Sequence, residues 1–490
     1  MIIQDSERQK SIFHTWMTTG WNLLIMAVAG SGKTTTLLRL LEMCEHRTLF
    51  LAFNTSVQQE IQAKIEAKGL LQGKAMTIHS LGLSAIRSWK KYKVNKGKNF
   101  VLVKKFQDQK KAYFKYMEWE VKLRLTYTLM DMNDISRLFL TDDVEEIINY
   151  GLGAGKHLYV SKDLEELWKE FLVIRNKSYE GKFIEIDFND MIYLPVVMGL
   201  EIPVYPTYLM IDEAQDLNLC QHALIDKIIA QPTLKKWIAV GDRNQSIYGF
   251  SGAYSNSFDL FKQKEGVMEC PLDICYRCDR RIIDAANDVY NVMQPHSMEP
   301  GIVEYVDDPG HIKLRSMVVC RNTNPIIDLY FQLITSGKSC YIEGEDILNS
   351  VIRFLKPYDK KQIIFATDAM RSKLYDMSKD ESDRGKMLFH MYNQNFLNFQ
   401  RLVAGLHCTG REPVSKLITE MKNLFVGKKD SIKLCTIHKA KGLEADVVYI
   451  LNENLIPSKF AITPEQITQE QNLKYVARTR ARNELYYLNI

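Results

Sequence analysis

The sequence predicts an α/β protein with two parallel-sheet cores, each interrupted by a mainly helical insertion, and three observations carry that prediction. The first is an apolar run, Leu23-Leu24-Ile25-Met26, that leads into AVAGSGKT (residues 27–34) and then into the amphipathic TTLLRLLEMC. A strand, a Gly-rich turn and a helix in that order form the local context of a phosphate-binding loop. The second is a pair of apolar runs that end in acid. Tyr208–Ile211 enters DEAQD (212–216), and residues 237–240 enter GDRNQSIYGFSGA (241–253). The third is the return of the same grammar in the second half, without a second phosphate loop. Met317–Cys320, Ile432–Thr436, 447–451 and 485–488 read as strands, and 474–479 as a helix. Short apolar runs alternating with helical patterns are the mark of a parallel sheet.

Taken in order, each element implies a task. Gly30 and Gly32 let backbone N–H groups close around a triphosphate at a helix N-terminus, where the helix dipole favours anions. Lys33 reaches the β- and γ-phosphates, and the Thr34 hydroxyl suits Mg²⁺. The loop begins with Ala27 rather than glycine, which a negative φ permits. Asp212 then holds the metal, directly or through water, and Glu213 is the candidate base for the attacking water. A structural ion pair is the alternative for either carboxylate. Asp242, Gln245, Tyr248 and Phe250 follow the next strand, so a polar amide and two aromatics sit close to phosphate chemistry. For the aromatics the alternative is ordinary core packing.

Bulk properties narrow the class. A chain of 490 residues predicts two to four domains, and its formal net charge of +5 does not by itself identify a nucleic-acid binder. No apolar run has the length of a membrane span, and the opening residues MIIQDSER do not read as a signal peptide. Nine scattered cysteines in a chain this long point to a reducing, intracellular setting. Cys270, Cys275 and Cys278 have a C-x4-C-x2-C spacing, for which Cys320 is the candidate fourth metal ligand; thiols that happen to flank an arginine are the alternative. Arginines fall at strand–helix junctions, at Arg277, Arg321, Arg478 and Arg480. An arginine brought to a γ-phosphate is an arginine finger.

Set out along the chain, these strings resemble the superfamily 1 helicases of the UvrD/Rep type, and within them the F-box DNA helicase branch. Gln9 matches the adenine-reading Q motif, AVAGSGKT motif I, LAFNTSV (51–57) motif Ia and TIHSLG (77–82) motif Ib. IDFNDMI (186–192) resembles the segment before motif II, DEAQD is motif II and GDRNQSIYGFSGA is motif III. LDICYR (272–277), TIHKAKGLEADVV (436–448) and EQNLKYVARTRA (470–481) match motifs IV, V and VI. The family's order is kept from Gln9 to Ala481.

The resemblance implies two RecA-like core domains and an ATP- and Mg²⁺-dependent DNA helicase of 3′→5′ polarity, acting in replication, repair or recombination. It implies a nucleotide site made by Gln9, Ala27, Gly30, Ser31, Gly32, Lys33, Thr34 and Thr35. Tyr276 would stack on adenine and Glu444 would touch the ribose. Catalysis would rest on Lys33, Asp212, Glu213, the γ-phosphate sensor Gln245 and the two fingers Arg277 and Arg480, with Thr34 and Asp212 on the metal. Phe53, Asn54, His79, Tyr248, Phe250, Thr436 and His438 would line the single-stranded DNA track. Stacking on aromatics is indifferent to base identity, which suits a motor. Three positions depart from the pattern: Arg478 where relatives carry a small apolar residue, Thr55-Ser56 where a lysine is common, and Thr35 in place of an arginine.

The expected division is a first core at 1–88 and 186–266, and a second at 267–340 and 430–490. A helical insertion at 89–185 and a reduced accessory domain at 341–429 would interrupt them. The start of the first insertion interleaves lysines with Tyr92, Phe100, Phe106, Tyr113, Phe114, Tyr116 and Trp119, which reads either as a single-strand-binding surface or as an amphipathic helix over a small core. The expected partners are single-stranded DNA and single-strand/duplex junctions, with no membrane and a monomeric chain. An end at Ile490, soon after motif VI, leaves no room for a fused nuclease. Two alternatives stay open: a translocase that strips proteins from DNA with little unwinding, and an RNA-directed motor. A non-enzymatic scaffold is disfavoured because Lys33, Thr34, Asp212, Glu213, Gln245 and Arg480 are all present.

Overall fold

The computed structural model describes residues 5–156, 158–249, 252–344, 352–380, 383–423 and 430–490. They divide into two compact units, one of residues 1–274 with 461–469 and the other of residues 275–460 with 470–490.

The first unit is built on a six-stranded sheet in the order Gly73–Thr77, Thr48–Ala52, Tyr208–Ile211, Lys236–Gly241, Asn22–Ala27, Val267–Leu272, with every neighbouring pair parallel. Side chains alternate across a strand, and the sheet shows it. Leu23 and Ile25 pack on one face with Phe50, Met210 and Ile238, under the helices Glu7–Thr18, Lys33–Met43 and Thr55–Ala67. Leu24 packs on the other face with Leu49, Leu51, Leu209 and Ala239, under Ile78–Trp89, Phe188–Val197 and Leu219–Ile229. Val267–Leu272, expected at the start of the second core, instead pairs along its length with Asn22–Ala27 and so completes the first sheet.

The stretch expected to be a helical insertion leaves and re-enters this core through a two-stranded parallel neck, Lys91–Val94 with Phe183–Ile186. Beyond the neck its helices carry a hydrophobic cluster that includes Phe106, Phe114, Leu129, Trp168 and Phe171. Its aromatics divide between core and surface. Phe106 and Phe114 are core residues, while Phe100, Tyr116 and Trp119 are exposed. Residues 461–469 also belong to the first unit: Gln466 donates to the Leu152 carbonyl at 2.8 Å, and a Cβ on Gly249 would meet the Gln469 amide at 1.9 Å.

The second unit has its own six-stranded parallel sheet, ordered Ile302–Val306, Ala481–Leu488, Ala445–Leu451, Met317–Cys320, Ile432–Thr436, Cys340–Ile342. The helices Ile363–Met377, Asp383–Gly405 and Val414–Asn423 fall in the stretch expected to be a separate accessory domain. Their buried residues, among them Met370, Phe399 and Leu417, instead join one continuous cluster with Val318, Ile326 and Leu434 of the sheet layer. Residues 345–351 of the stretch expected to be an accessory domain lie outside the described residues. No helix among the described residues is long and apolar enough to cross a membrane.

Candidate active site

The phosphate loop joins Asn22–Ala27 to the helix Lys33–Met43. Gly30 (φ 68°) and Gly32 (φ 81°) take the left-handed backbone that an L side chain resists, so their places in the loop require glycine. The loop is braced from within: Ser31 Oγ donates to the Val28 carbonyl at 2.8 Å, and Thr36 Oγ1 to the Gly32 carbonyl at 3.0 Å. Gln9 is buried beside it. Its carbonyl oxygen accepts from the Ser6 N–H in a capping box, and its amide donates to Thr36 Oγ1 at 2.9 Å.

Sheet order brings the acids to this loop. Lys236–Gly241 lies next to the phosphate-loop strand and Tyr208–Ile211 lies one strand further, all with the same polarity. Their C-terminal ends therefore present Asp242, Asp212 and Glu213 on the edge that carries Lys33. Lys33 Nζ is 3.2 Å from Glu213 Oε2, and Thr34 Oγ1 donates to Asp212 Oδ2 at 3.1 Å. Gln245 Nε2 donates to Asp242 Oδ2 at 2.7 Å. Burial and then the neighbouring Glu213 charge push Asp212 up to about 6, against the pull of Lys33. Burial also raises Asp242. Burial alone would lower Lys33, but the charges of Glu213, Asp242 and Asp212 prevail and raise it. A hydroxyl facing a carboxylate is a set of hard oxygen donors that fits Mg²⁺.

Aromatic side chains gather on the same edge. Phe53, after Thr48–Ala52, and Tyr248, after Lys236–Gly241, stack face to face with centroids 5.7 Å apart and planes 10° from parallel. His79 meets Phe188 edge-on at 6.2 Å, and the Lys96 ammonium lies 5.8 Å from the Phe188 ring centre. Phe188 is half exposed, and no task was read for it from the sequence. Its partner lies more than a hundred residues away, so no local pattern announces the pair. Asn54 caps the helix Thr55–Ala67, accepting from the Val57 N–H at 2.9 Å. Phe250 lies outside the described residues.

Within the second unit, Arg277 Nε lies 2.5 Å from Glu444 Oε2, and its Nη1 donates to the Thr479 carbonyl at 3.2 Å. Glu444, expected at a ribose, is bridged in this structure by Arg277 and Arg482. Tyr276 packs against His296 at 4.5 Å. Arg480 is buried and donates to the carbonyls of Val476 (3.0 Å) and Leu443 (3.2 Å). Arg478 is buried too. It pairs with Glu453 at 3.0 Å and donates to the Ala285 carbonyl, so the long cation expected to depart from the family's pattern has buried partners. Thr436 caps the helix Ile437–Ala440, and burial with the Arg321 charge pushes His438 down to about 4. Cys275 and Cys278 hydrogen-bond to each other, and among the described residues no three His, Cys, Asp or Glu side chains gather as metal ligands.

A family model described as the UvrD/REP helicase N-terminal domain matches residues 6–265. A "Probable DNA helicase" of Mycoplasma pneumoniae is 26% identical over 288 residues, covering 58% of this chain and 43% of that protein. "ATP-dependent DNA helicase Rep" of Buchnera aphidicola subsp. Schizaphis graminum is 30% identical over 290 residues, covering 54% and 41%. Another Rep, from Buchnera aphidicola subsp. Acyrthosiphon pisum, aligns over 95% of this chain and 92% of its own length at 21% identity. Against the first relatives it matches, the chain spans only 38–43% of their length. The family model, however, covers more than half of the 490 residues, and the chain belongs to the UvrD/Rep helicase family.

Proposed function

We propose that the chain is an ATP-driven motor that moves 3′→5′ on single-stranded DNA and separates duplex at single-strand/duplex junctions, as a monomer. One observation carries the reading: a single sheet edge holds both a phosphate site, with Lys33 and Thr34 against Glu213 and Asp212, and the stacked pair Phe53 and Tyr248.

In this reading the loop N–H groups and Lys33 bind the triphosphate. Thr34 and Asp212 hold Mg²⁺, which when bound would offset charge on the phosphoryl oxygens. Glu213 orients and deprotonates the attacking water, and Gln245 senses the γ-phosphate. Arg277 and Arg480 supply positive charge to the transferring group once freed from their present partners. Gln9 and Tyr276 select adenine. Phe53, Tyr248, His79 and Phe188, with Asn54, Thr436 and His438 and with Phe250 from its motif alone, would line the strand's track, and each stacked base contributes roughly 1–3 kcal/mol.

The test is single-turnover unwinding of duplexes with a 3′ or a 5′ single-stranded tail, with Lys33→Ala as control. The expected outcome is ATP-dependent unwinding from the 3′ tail alone, abolished by Lys33→Ala while single-strand binding persists. ATP hydrolysis stimulated by DNA without unwinding of either substrate would replace this reading with the protein-stripping translocase. Stronger stimulation by single-stranded RNA would replace the DNA substrate.

A further inference from the structure

Gln215, between the two acids and the closing aspartate of DEAQD, has no task in the reading above, yet it is 2% exposed and its whole amide is engaged. Its Nε2 donates to Glu213 Oε2 at 2.5 Å and lies 3.3 Å from Asp216 Oδ2. Its Oε1 accepts from the Asp242 N–H at 3.1 Å, and its own backbone carbonyl accepts from Ser246 Oγ at 3.2 Å. The two ends of the amide are not interchangeable, because a flip would set its oxygen against a carboxylate and its NH₂ against an N–H.

We propose that Gln215 is a positioning residue that holds the Glu213 carboxylate in line and ties it to the loop that carries Gln245. The proposal rests on Glu213 being the base, and three features of the structure support it. Glu213 has a left-handed backbone (φ 53°, ψ 42°), outside strand and helix, so neither element fixes the aim of its side chain. Its Oε2 is shared between Lys33 and Gln215. A triphosphate that claims Lys33 removes that partner, and the Gln215 N–H remains on the oxygen.

The link also runs onward. Gln215 accepts from the Asp242 N–H, and Asp242 Oδ2 accepts from Gln245 Nε2, so two residues join the water-orienting carboxylate to the phosphate sensor. Gly241 makes room for this, since a Cβ there would stand 2.1 Å from Gln215 Oε1. Glutamine suits the place because it is a donor and an acceptor at once. Glutamate of the same shape keeps the acceptor and loses the donor; leucine loses both.

The experiment compares Gln215→Glu and Gln215→Leu with Glu213→Gln and with the double variant Glu213→Gln/Gln215→Leu, in DNA-stimulated ATP hydrolysis. We expect each Gln215 variant to lower kcat about 30- to 100-fold with KM for ATP changed less than about threefold, the pattern of a lost transition-state alignment. In the Glu213→Gln background, Gln215→Leu should change the residual rate by less than about twofold, because residues that act as a unit are not additive. A folded Gln215→Glu protein with kcat within about threefold of wild type would overturn the proposal, as would losses that multiply in the double variant. Should Gln215→Leu fail to fold, the isosteric Gln215→Glu decides by its kcat alone. An unimpaired Glu213→Gln protein would instead sink the assignment of the base, a separate failure.

Discussion

At the scale of single residues, the candidate site is held together by side chains whose partners come from neighbouring strands, as Gln215 is by the Asp242 N–H. Lys33, Thr34, Asp212 and Glu213 could be picked out in the sequence as one group because a phosphate loop and a strand-end acid pair dictate residue type at fixed offsets, and the structure brings them into contact. Gln215 and Phe188 could not, since their contacts are with Asp242 and His79, which the fold alone brings near. Another residue of this kind is His222. Its Nε2 faces Ser257 Oγ at 2.8 Å, and Ser257 donates in turn to the Ala214 carbonyl at 2.5 Å, directly behind the acid pair. Burial, with Lys264 nearby, pushes its imidazole down from 6.5 to about 3. A base with a lowered folded value takes up its proton first in the unfolded chain. Its contribution to stability is therefore complete above about pH 6.5 and is lost as pH falls from there toward 3. Urea midpoints of the wild type should drop between pH 7.5 and pH 5 by more than those of His222→Gln. Equal drops would show that His222 does not carry the acid sensitivity.

At the scale of elements, the helical layer beyond the neck is fastened by buried charge. Arg137, on the helix Trp119–Phe139, is fully buried and reaches Asp187 at 2.7 Å, Asp190 at 2.8 Å and Asp134 at 2.7 Å. Lys98 adds a contact to Asp190 at 2.8 Å, and Tyr179 donates to the same carboxylate at 2.7 Å. Asp187 caps the helix Phe188–Val197 in a capping box with Asp190, so the knot also sets where Phe188 starts. Removing one partner of a buried pair leaves charge uncompensated and typically costs about 3–5 kcal/mol. Arg137→Ala should destabilise the protein by that much in equilibrium urea unfolding and weaken single-strand binding through Phe188. A loss below about 1 kcal/mol, the range of an exposed pair, would mean that the knot is hydrated. The IDFNDMI string was legible as a motif, but the fastening was not, because fifty residues separate Arg137 from Asp187. The lysine- and aromatic-rich stretch divides for a related reason. Composition shows that aromatics are present, whereas helix packing decides that Phe106 points into a core and Trp119 into solvent.

At the scale of the whole molecule, the two parallel sheets were readable from their inner strands, such as Tyr208–Ile211 and Met317–Cys320, which are short apolar runs of the kind a parallel sheet buries on both faces. Boundaries were less readable. Val267–Leu272 looks like the opening of the next core until its pairing with Asn22–Ala27 is seen, and the helices of 352–423 look detachable until their apolar residues are found in the cluster of the second sheet. The nine residues 461–469 were the least readable, for nothing local marks a late segment as part of an early unit. They close over Gly249 and bond to Leu152, in a region where Phe139, Tyr150 and Tyr254 also line a cavity of about 420 Å³. A fragment ending at residue 274 should therefore melt below the full chain's first transition and recover part of the difference when a peptide of residues 461–469 is added. No recovery would show that the segment is passive. That late segment also sets a timetable. On the ribosome the first unit cannot be finished when its own last strand emerges; it waits for residues 461–469 until most of the second unit has been made. Nascent chains are most exposed to proteolysis and aggregation in that interval.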